Sequence, residues 1–420
     1  MLFLIGALIV FRLGSFIPVP GVNPAAMTRM IEQGGGLMSM FNMFSGGALE
    51  RFSLFALGVI PYISASIVVQ MMGSVVPSWQ ALKKEGQSGQ RILTKYTRWG
   101  TVGLSAFQAF GIAMALQKEG MAGGVPIVYD PGFGFIFASV IGLTAGSMFL
   151  MWLGEQMTER GIGNGISLII FAGIVAGLPQ ALTQTFSMAS SGQLSPIKVL
   201  LVVAICIAVT VFCVFMESAQ RRITVNYARR QGGGNAYMNQ SSHLPLKINM
   251  SGVIPPIFAS SLILFPATAS TWFSSASQMH WLQRLTSVMT PGDPTYELIY
   301  AAMIIIFAFF YTAIVFNSQE TADNLKRSGA LIPGMRPGKA TADYIDAVLT
   351  RLTGAGAIYL AAVCLIPDFM QSEWHVPFYF GGTSLLIVVV VAMDFRAQVS
   401  AHLVSHQYDS LLKKANLRRR

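Results

Sequence analysis

The chain has 420 residues, of which 53% are hydrophobic and only 11% are charged. A soluble globular protein carries about 25% charged residues, so this chain has too few charges to cover a water-exposed surface. The net charge of +10 would suggest a nucleic-acid partner for a soluble protein, but here the basic residues lie between long apolar runs. The composition therefore excludes a string of soluble domains and predicts an all-α polytopic membrane protein.

Residues 1–11 are apolar and could be taken for a signal peptide. No basic segment precedes them, and no small-residue cleavage site follows, because Arg12–Ser15 leads directly into another apolar stretch. We interpret these residues as the remainder of a first membrane span and expect its cytoplasmic flank to be missing from this chain.

A helix that crosses the hydrocarbon core of a bilayer needs about 20 mostly apolar residues. The apolar stretch from Leu37 to Ala48 is too short to cross, so it is expected to be a re-entrant or surface segment. The remaining apolar runs predict ten spans, at about 1–17, 54–76, 99–117, 132–153, 162–180, 196–216, 250–273, 296–316, 347–367 and 377–394.

The basic residues are distributed unevenly between the two sides of these spans. Loops after even-numbered spans, together with the C-terminal tail, carry 21 Lys and Arg residues, whereas loops after odd-numbered spans carry five. Because basic loops stay on the cytoplasmic side, both termini are predicted to be cytoplasmic. Two cytoplasmic loops, about 217–249 and 317–346, are longer than a connection requires. They are either solvated connections or docking sites for a cytoplasmic partner.

Two segments of the chain repeat one another. Val59–Ser66 and Val253–Ser260 share the pattern Val-Ile-Pro-x-Ile-x-Ala-Ser, and they lie within the second and seventh spans. Five spans separate the copies, so they run in opposite directions and predict an inverted repeat of five plus five spans. Such repeats tend to place a pathway at the interface between the halves. Proline inside a span is expected to kink the helix in both copies.

Ionisable residues are nearly absent from the centres of the spans, which disfavours a proton-coupled transporter. The sequence also lacks a nucleotide-binding Gly-Lys-Ser/Thr loop and any arrangement for catalysis or metal binding, so no enzyme activity, cofactor or metal is predicted. What remains is a pathway lined by apolar groups, which can exclude ions by dewetting. This favours a channel for a flexible substrate. A secondary transporter of a small solute, with inverted repeats, is the alternative, and for an intramembrane protease no catalytic group is in place.

Seven motifs follow one another along the whole chain: Phe41–Gly47, Pro61–Ser66, Gly161–Gly165, His243–Lys247, Glu320–Leu325, Pro333–Gly338 and Pro377–Ser384. Together they resemble the SecY family, which forms the pore of the bacterial Sec protein translocon. The resemblance implies a channel that moves unfolded secretory chains outward and releases hydrophobic segments sideways into the bilayer. It also implies two inverted five-helix halves, 1–180 and 195–394, around a central hourglass pore, and a cytoplasmic tail, 395–420.

By motif position, the resemblance implies a ring of aliphatic side chains that pinches the pore. It further implies a plug within about 37–50 that closes the outer funnel, with two glycines that would allow its displacement. The ring residues would be Val59, Ile63, Ile166, Ile170, Ile254, Ile257 and Ile387. The plug residues would be Phe41, Asn42, Met43, Phe44, Ser45, Gly46 and Gly47.

The two long cytoplasmic loops resemble those on which the family docks the SecA motor or a translating ribosome. The candidate docking residues are Arg336, Arg222, Lys247, Lys326 and Arg327. Arg336 is favoured because two prolines and two glycines would hold it on a stiff turn, and a guanidinium suits a carboxylate or an RNA phosphate. Other partners implied are SecE- and SecG-like membrane subunits, SecDF-YajC or a YidC-type insertase, signal peptides, nascent chains and membrane lipids, all at the bacterial inner membrane.

Overall fold

Most of the chain is helical, as its composition predicts. The computed structural model describes residues 2–33, 42, 45–119, 121–122, 125–192, 195–227, 241–273, 294–374 and 382–417. The helices in these ranges are α1 (Leu2–Gly14), α2 (Pro24–Gln33), α3 (Ile60–Val75), α4 (Pro77–Lys84), α5 (Gln87–Glu119), α6 (Phe133–Arg160), α7 (Gly165–Ser190), α8 (Pro196–Ser218), α9 (Ile254–Phe273), α10 (Pro294–Val315), α11 (Ser318–Arg327), α12 (Lys339–Trp374) and α13 (Gly382–Leu417). The strands are β1 (Met121–Ala122), β2 (Val125–Pro126), β3 (Gln220–Tyr227), β4 (Ser241–Lys247) and β5 (Ala330–Leu331).

Each of the ten predicted spans overlaps one of these helices. Within the described ranges, seven stretches are long and apolar enough to cross a membrane, and they contain α5, α6, α7, α8, α10, α12 and α13. Helices α3 and α4 pass the same test only together and are bent by 102° at the break between them, so α4 turns away from the span. Helix α1 and the start of α9 (Ile254–Ile263) are apolar but shorter. The fold is that of a helical, multi-pass membrane protein.

The second predicted span, 54–76, is helical only from Ile60 onward. The preceding residues form turns, and Phe52 has a left-handed backbone conformation with φ of 45°. This segment packs closely onto α6, where a side chain on Gly146 would overlap the carbonyl of Leu54. An apolar sequence alone does not distinguish such a packed turn from a helix, because both bury the same side chains.

The two copies of the repeated sequence adopt the same local structure. The glycine that precedes each copy has a left-handed conformation, with φ of 56° at Gly58 and 61° at Gly252. In each copy the second isoleucine donates its backbone N–H to the carbonyl of the repeated valine, at 3.0 Å in the first and 3.4 Å in the second. A helix begins directly after this turn in both cases, so the repeat is structural as well as sequential.

The prediction that proline kinks these two spans is wrong. Pro61 lies in the first turn of α3, and Pro255 and Pro256 are the second and third residues of α9. The first N–H groups of a helix have no partner within that helix, so proline loses nothing there, and its fixed φ favours the start of a helix. The repeated prolines therefore begin these helices instead of bending them.

The two long loops that were predicted to be cytoplasmic form one folded unit. Strand β3 pairs antiparallel with β4, with Gln220 opposite Lys247, and its last residues pair with β5 from the second loop, which completes a three-stranded sheet in the order β4-β3-β5. Helix α11 and the first turns of α12 complete the unit. Its separate hydrophobic core consists of Ile223, Val225, Leu246, Ala330, Ile332, Ile345 and Leu349.

Candidate functional site

The seven residues predicted to form the ring lie in one hydrophobic cluster. Two of them, Ile166 and Ile254, are partly buried and pack against the others' cluster. On α9, Ile257 is 7% exposed whereas Leu262, just over one turn away, is 50% exposed, so the helix presents distinct inner and outer faces. The five buried members are Val59, Ile63, Ile170, Ile257 and Ile387.

The helices that carry these residues belong to a closed circuit. Consecutive helices in the series α3, α6, α7, α13, α12 and α9 are in contact, and α9 completes the circuit by packing against α3. Four of the six, α3, α7, α9 and α13, carry or directly follow the predicted ring residues. The predicted ring residues are therefore distributed over four helices of one circuit.

Ile166 lies at the beginning of α7. The side chain of Asn164 caps this helix by accepting hydrogen bonds from the backbone N–H groups of Ile166 (3.1 Å) and Ser167 (3.4 Å). A Cβ on Gly154 of α6 would lie 2.8 Å from Cγ1 of Ile166, so this side chain fills the space left by that glycine. Ile166 therefore contacts α6 directly, whereas Ile170 lies one turn further into the helix.

The described part of the predicted plug is a compact turn. Asn42 accepts hydrogen bonds at its carbonyl from the N–H of Gly47 (2.8 Å) and the hydroxyl of Ser45 (3.0 Å), and its side chain accepts one from the N–H of Glu50 (3.0 Å). Asn42 and Ser45 are buried. The other predicted plug residues, Phe41, Met43 and Phe44, lie outside the described residues.

Two contacts hold this turn against the helices. Arg12 of α1 donates a hydrogen bond from Nη1 to the carbonyl of Gly46 at 2.9 Å. A Cβ on Gly46 would lie only 2.9 Å from the Cα of Gly173, so the two backbones meet without intervening side chains. Gly173 follows Ile170 on α7 by about one turn. The structure thus places the turn beside the candidate ring.

Arg336 is exposed at the tip of a tight turn in the second loop. The glycines on either side, Gly334 and Gly338, have φ of 82° and 111°, which a residue with a side chain rarely adopts. The carbonyl of Arg336 accepts a hydrogen bond from the hydroxyl of the buried Thr341 at 2.8 Å. The guanidinium is therefore presented on a backbone that the fold holds in place.

The other predicted docking residues have different surroundings. Lys326 and Arg327 are exposed in the last turn of α11, where cations stabilise the helix dipole whether or not they bind a partner. Arg222 is exposed on β3. Lys247 lies on β4 and its Nζ is 3.7 Å from a carboxylate oxygen of Asp394 on α13, both being more than half exposed. These residues therefore belong to one folded unit but do not share a common contact.

Sequence analysis did not identify a buried polar cluster at the base of the β3–β4 hairpin. Asn249 donates a hydrogen bond from Nδ2 to Oε1 of Glu217 at 2.5 Å, although 32 residues separate them. Asn249 is 3% exposed and Glu217 is 7% exposed. The alternation of Ile223 and Val225 could have predicted a strand here, and hence the hairpin, but not its polar base. Among the described residues, no group of three His, Cys, Asp or Glu side chains could hold a metal ion.

Comparisons with known proteins identify the family. The sequence profile of the SecY family matches residues 53–396. The chain is 59% identical to the protein translocase subunit SecY of Escherichia coli K12 over 420 residues, which cover 100% of this chain and 94% of that protein. Among solved structures, a SecY protein whose plug domain stabilises the closed state of the translocation channel aligns with a TM-score of 0.69 and 17% identity, over 96% of this chain and 92% of that one. Sec61 in the canine ribosome–channel complex aligns with a TM-score of 0.66 and 16% identity, over 96% and 92% of the two chains.

Proposed function

The chain belongs to the SecY family, and on that premise we propose that it is the protein-conducting channel of a bacterial inner membrane. Unfolded secretory chains pass between its halves, 1–180 and 195–394, and hydrophobic segments leave sideways into the bilayer. The channel has no catalytic activity of its own, so partners provide the energy. The observation that carries this proposal is the closed circuit of helices with buried aliphatic residues on four of them.

The chemistry of these residues suits a passage for varied polypeptides. Valine and isoleucine side chains make no directional hydrogen bonds, so a ring of them has no preference for particular substrate groups. A narrow apolar constriction also excludes water and ions when empty. A transporter of a small solute would instead need a compact polar site between the halves, and the predicted ring residues are all aliphatic.

The turn around Asn42–Gly47 acts as the plug in this proposal. Its contacts with Arg12 and Gly173 hold it beside the ring in the closed state. A SecY protein of the same fold has a plug domain that stabilises the closed channel and maintains a membrane seal. These contacts consist of the approach of two glycines and one hydrogen bond. A passing chain could therefore displace the turn.

The cytoplasmic unit is the docking site for partners. The excess of basic residues in the loops that form it favours a cytoplasmic location, which also places both termini and the tail, 395–420, inside the cell. A relative of the same fold, Sec61, occurs in a ribosome–channel complex. Arg336 is the principal contact to a ribosome or to the SecA motor, and SecE- and SecG-like subunits complete the channel in the membrane.

The experiment that tests this function asks whether a translocating chain meets the ring. After replacement of Cys206, Cys213 and Cys364, single cysteines are introduced at Ile257, at Ile387 and, as a control on the outer face of α9, at Leu262. A secretory chain that carries a thiol-reactive probe is stalled in membranes that contain each variant. We expect cross-links to Ile257 and Ile387 but not to Leu262.

The same experiment distinguishes the alternative. If Ile257 and Ile387 never cross-link to the chain, and a small solute instead protects them from a thiol reagent, the protein is a transporter. Cross-links of equal yield at all three positions would show that the chain does not follow the proposed axis.

A further inference from the structure

The side chain of Asn249 joins three elements at the base of the cytoplasmic hairpin. Its Nδ2 group donates to Glu217 at the end of α8 (2.5 Å) and to the carbonyl of Gly252 (3.2 Å). Its Oδ1 atom accepts from the hydroxyl of Ser251 (3.0 Å) and from the N–H of Gly252 (3.1 Å). A carboxamide has two N–H donors and two acceptor lone pairs, so all of its hydrogen-bonding capacity is used.

The position of these bonds links the hairpin to a helix of the circuit. The backbone N–H of Ile248 donates to the carbonyl of Ala219 at 3.2 Å, which extends the hydrogen bonding between β3 and β4 by one residue. The bond between Asn249 and Glu217 is the last contact at this end of the hairpin. Gly252 starts the turn from which α9 begins two residues later. Asn249 therefore connects the end of the paired strands to the first turn of α9.

The surroundings of this link leave little room for it to move independently. A Cβ on Gly356 of α12 would lie 2.8 Å from the carbonyl oxygen of Ile248 and 3.5 Å from the Cα of Asn249. Glu217, Asn249 and Ser251 are buried and Gly252 is partly buried, so water has little access to these bonds. A displacement of the hairpin is consequently transmitted to the turn at Gly252 and not absorbed between them.

The internal repeat shows why this turn matters. The equivalent turn in the first half, at Gly58, follows the plug segment and precedes α3. Both α3 and α9 carry candidate ring residues, and they pack against each other. The plug and the hairpin thus occupy equivalent positions, each directly before one of the two helices, but the inverted repeat places them on opposite sides of the membrane.

We propose that Asn249 and Glu217 form a joint that transmits partner docking on the hairpin to α9, so that binding in the cytoplasm displaces Ile254 and Ile257 and opens the ring. This inference rests on the proposed function. Asn249 is a positioning residue, because its side-chain bonds among the described residues go to Glu217 and to the turn before α9. Its role is to couple partner binding on the hairpin to opening of the ring. A mutation of Asn249 should therefore impair opening without impairing binding.

The test uses the full chain in proteoliposomes and ribosomes that carry a stalled secretory chain. Asn249→Asp retains the acceptor atom but abolishes the donated bonds and places a second carboxylate beside Glu217. Glu217→Gln leaves an oxygen that still accepts from Asn249. In the double variant, Gln at position 217 donates to Asp at position 249 and restores the link. Ser251→Ala is the control, because it removes one bond to Asn249 without breaking the connection between Glu217 and Gly252.

Two quantities are measured for each variant: ribosome affinity by co-flotation with the vesicles, and ribosome-dependent opening by ion conductance. We expect Asn249→Asp to bind ribosomes within about twofold of the wild-type affinity while opening about tenfold less often, which corresponds to about 1.4 kcal/mol. Glu217→Gln and Ser251→Ala should behave like the wild type, and the double variant should regain most of the opening.

Other outcomes overturn the inference. If Asn249→Asp opens normally, or loses affinity and opening in parallel, the pair is not a joint. If the double variant does not regain opening, the defect of Asn249→Asp comes from misfolding and not from the lost link. If the wild-type protein binds ribosomes but never opens, the proposed function itself is wrong. The wild-type measurement therefore separates failure of the proposed function from failure of the joint alone.

Discussion

Gly46 and Gly173 meet so closely that Gly46 leaves no room for a side chain: a Cβ on Gly46 would lie 2.9 Å from the Cα of Gly173. Gly46 belongs to the turn proposed as the plug, and Gly173 to a helix that carries two candidate ring residues. Close backbone contact through small residues is the usual way in which segments pack inside a membrane. The fit of this turn therefore depends on the absence of a side chain at Gly46.

The first prediction concerns this contact. Gly46→Ala should displace the plug, because the methyl group collides with Gly173, and the channel should conduct ions in the absence of any partner. Gly47→Ala is the matched control. Both glycines have left-handed conformations, with φ of 70° and 80°, so both substitutions cost about 1 kcal/mol in backbone strain. A Cβ on Gly47, however, meets nothing within 4 Å among the described residues. Equal conductance of the two variants in planar bilayers would contradict the prediction.

The second prediction concerns the hydrogen bond from Arg12 to the carbonyl of Gly46. Hydrogen bonds from charged groups contribute about 1.5–3 kcal/mol, so Arg12→Gln should raise the ion leak of the closed channel roughly tenfold. Arg51→Gln is the control, because the guanidinium groups of Arg12 and Arg51 both lie over the ring of Phe16, at 4.9 and 4.2 Å from its centroid. If the two variants leak to the same extent, the positive charge near Phe16 matters and the bond to the plug does not.

The third prediction concerns the turn that presents Arg336. Thr341→Val removes the hydroxyl that bonds the carbonyl of Arg336 but preserves the shape of the side chain, so the turn should become less rigid. A neutral hydrogen bond contributes about 1 kcal/mol, and ribosome affinity should fall about fivefold, as measured by co-flotation. Thr350→Val removes an equivalent hydroxyl bond, to the carbonyl of Asp346 at 2.9 Å, away from the turn. A comparable loss of affinity in that control would show that the effect is not specific to the turn.

The fourth prediction concerns the packing of α6 onto the turns before α3. Gly146→Ala forces a methyl group into the carbonyl of Leu54, and overpacking of this kind costs about 1–3 kcal/mol. Its thermal unfolding midpoint in detergent should therefore fall by several degrees. Gly103→Ala in α5 meets nothing within 4 Å in the described structure and should leave the midpoint unchanged or raise it, because alanine favours helix over glycine. A stable Gly146→Ala protein would mean that the turn can retreat from α6.

Much of the architecture could be predicted from the sequence because it depends on local properties. Hydrophobic length determines where a helix can cross the bilayer, and all ten predicted spans overlap helices. The repeated segments beginning at Val59 and Val253 indicated two related halves, and the structure has the same turn in both. The repeated prolines were predicted to kink their helices, but they lie in the first turn of each helix. The hydrophobic pattern places a proline near a helix without showing at which residue the helix begins.

The candidate site was accessible to sequence reasoning only in part. Motifs that resemble those of a known family indicated the aliphatic residues and Arg336. The bond between Asn249 and Glu217, and the bond between Arg12 and Gly46, join residues 32 and 34 positions apart. No pattern of hydrophobicity predicts such partners, because a polar residue near the end of a span is equally compatible with solvent, lipid headgroups or another segment.

The sequence by itself determined the class of the protein, a helical multi-pass membrane protein. It predicted ten spans, whereas the described residues contain seven helices long and apolar enough to cross a membrane, or eight if the bent pair is one span. Only the tertiary structure decided that the two long loops share one sheet and one core, that the turn proposed as the plug lies against Gly173, and that Asn249 connects the hairpin to α9. The physical reason is that burial of apolar length is a property of each segment. The choice of partner between distant segments depends on close packing and on satisfied hydrogen bonds, which exist only once the chain has folded.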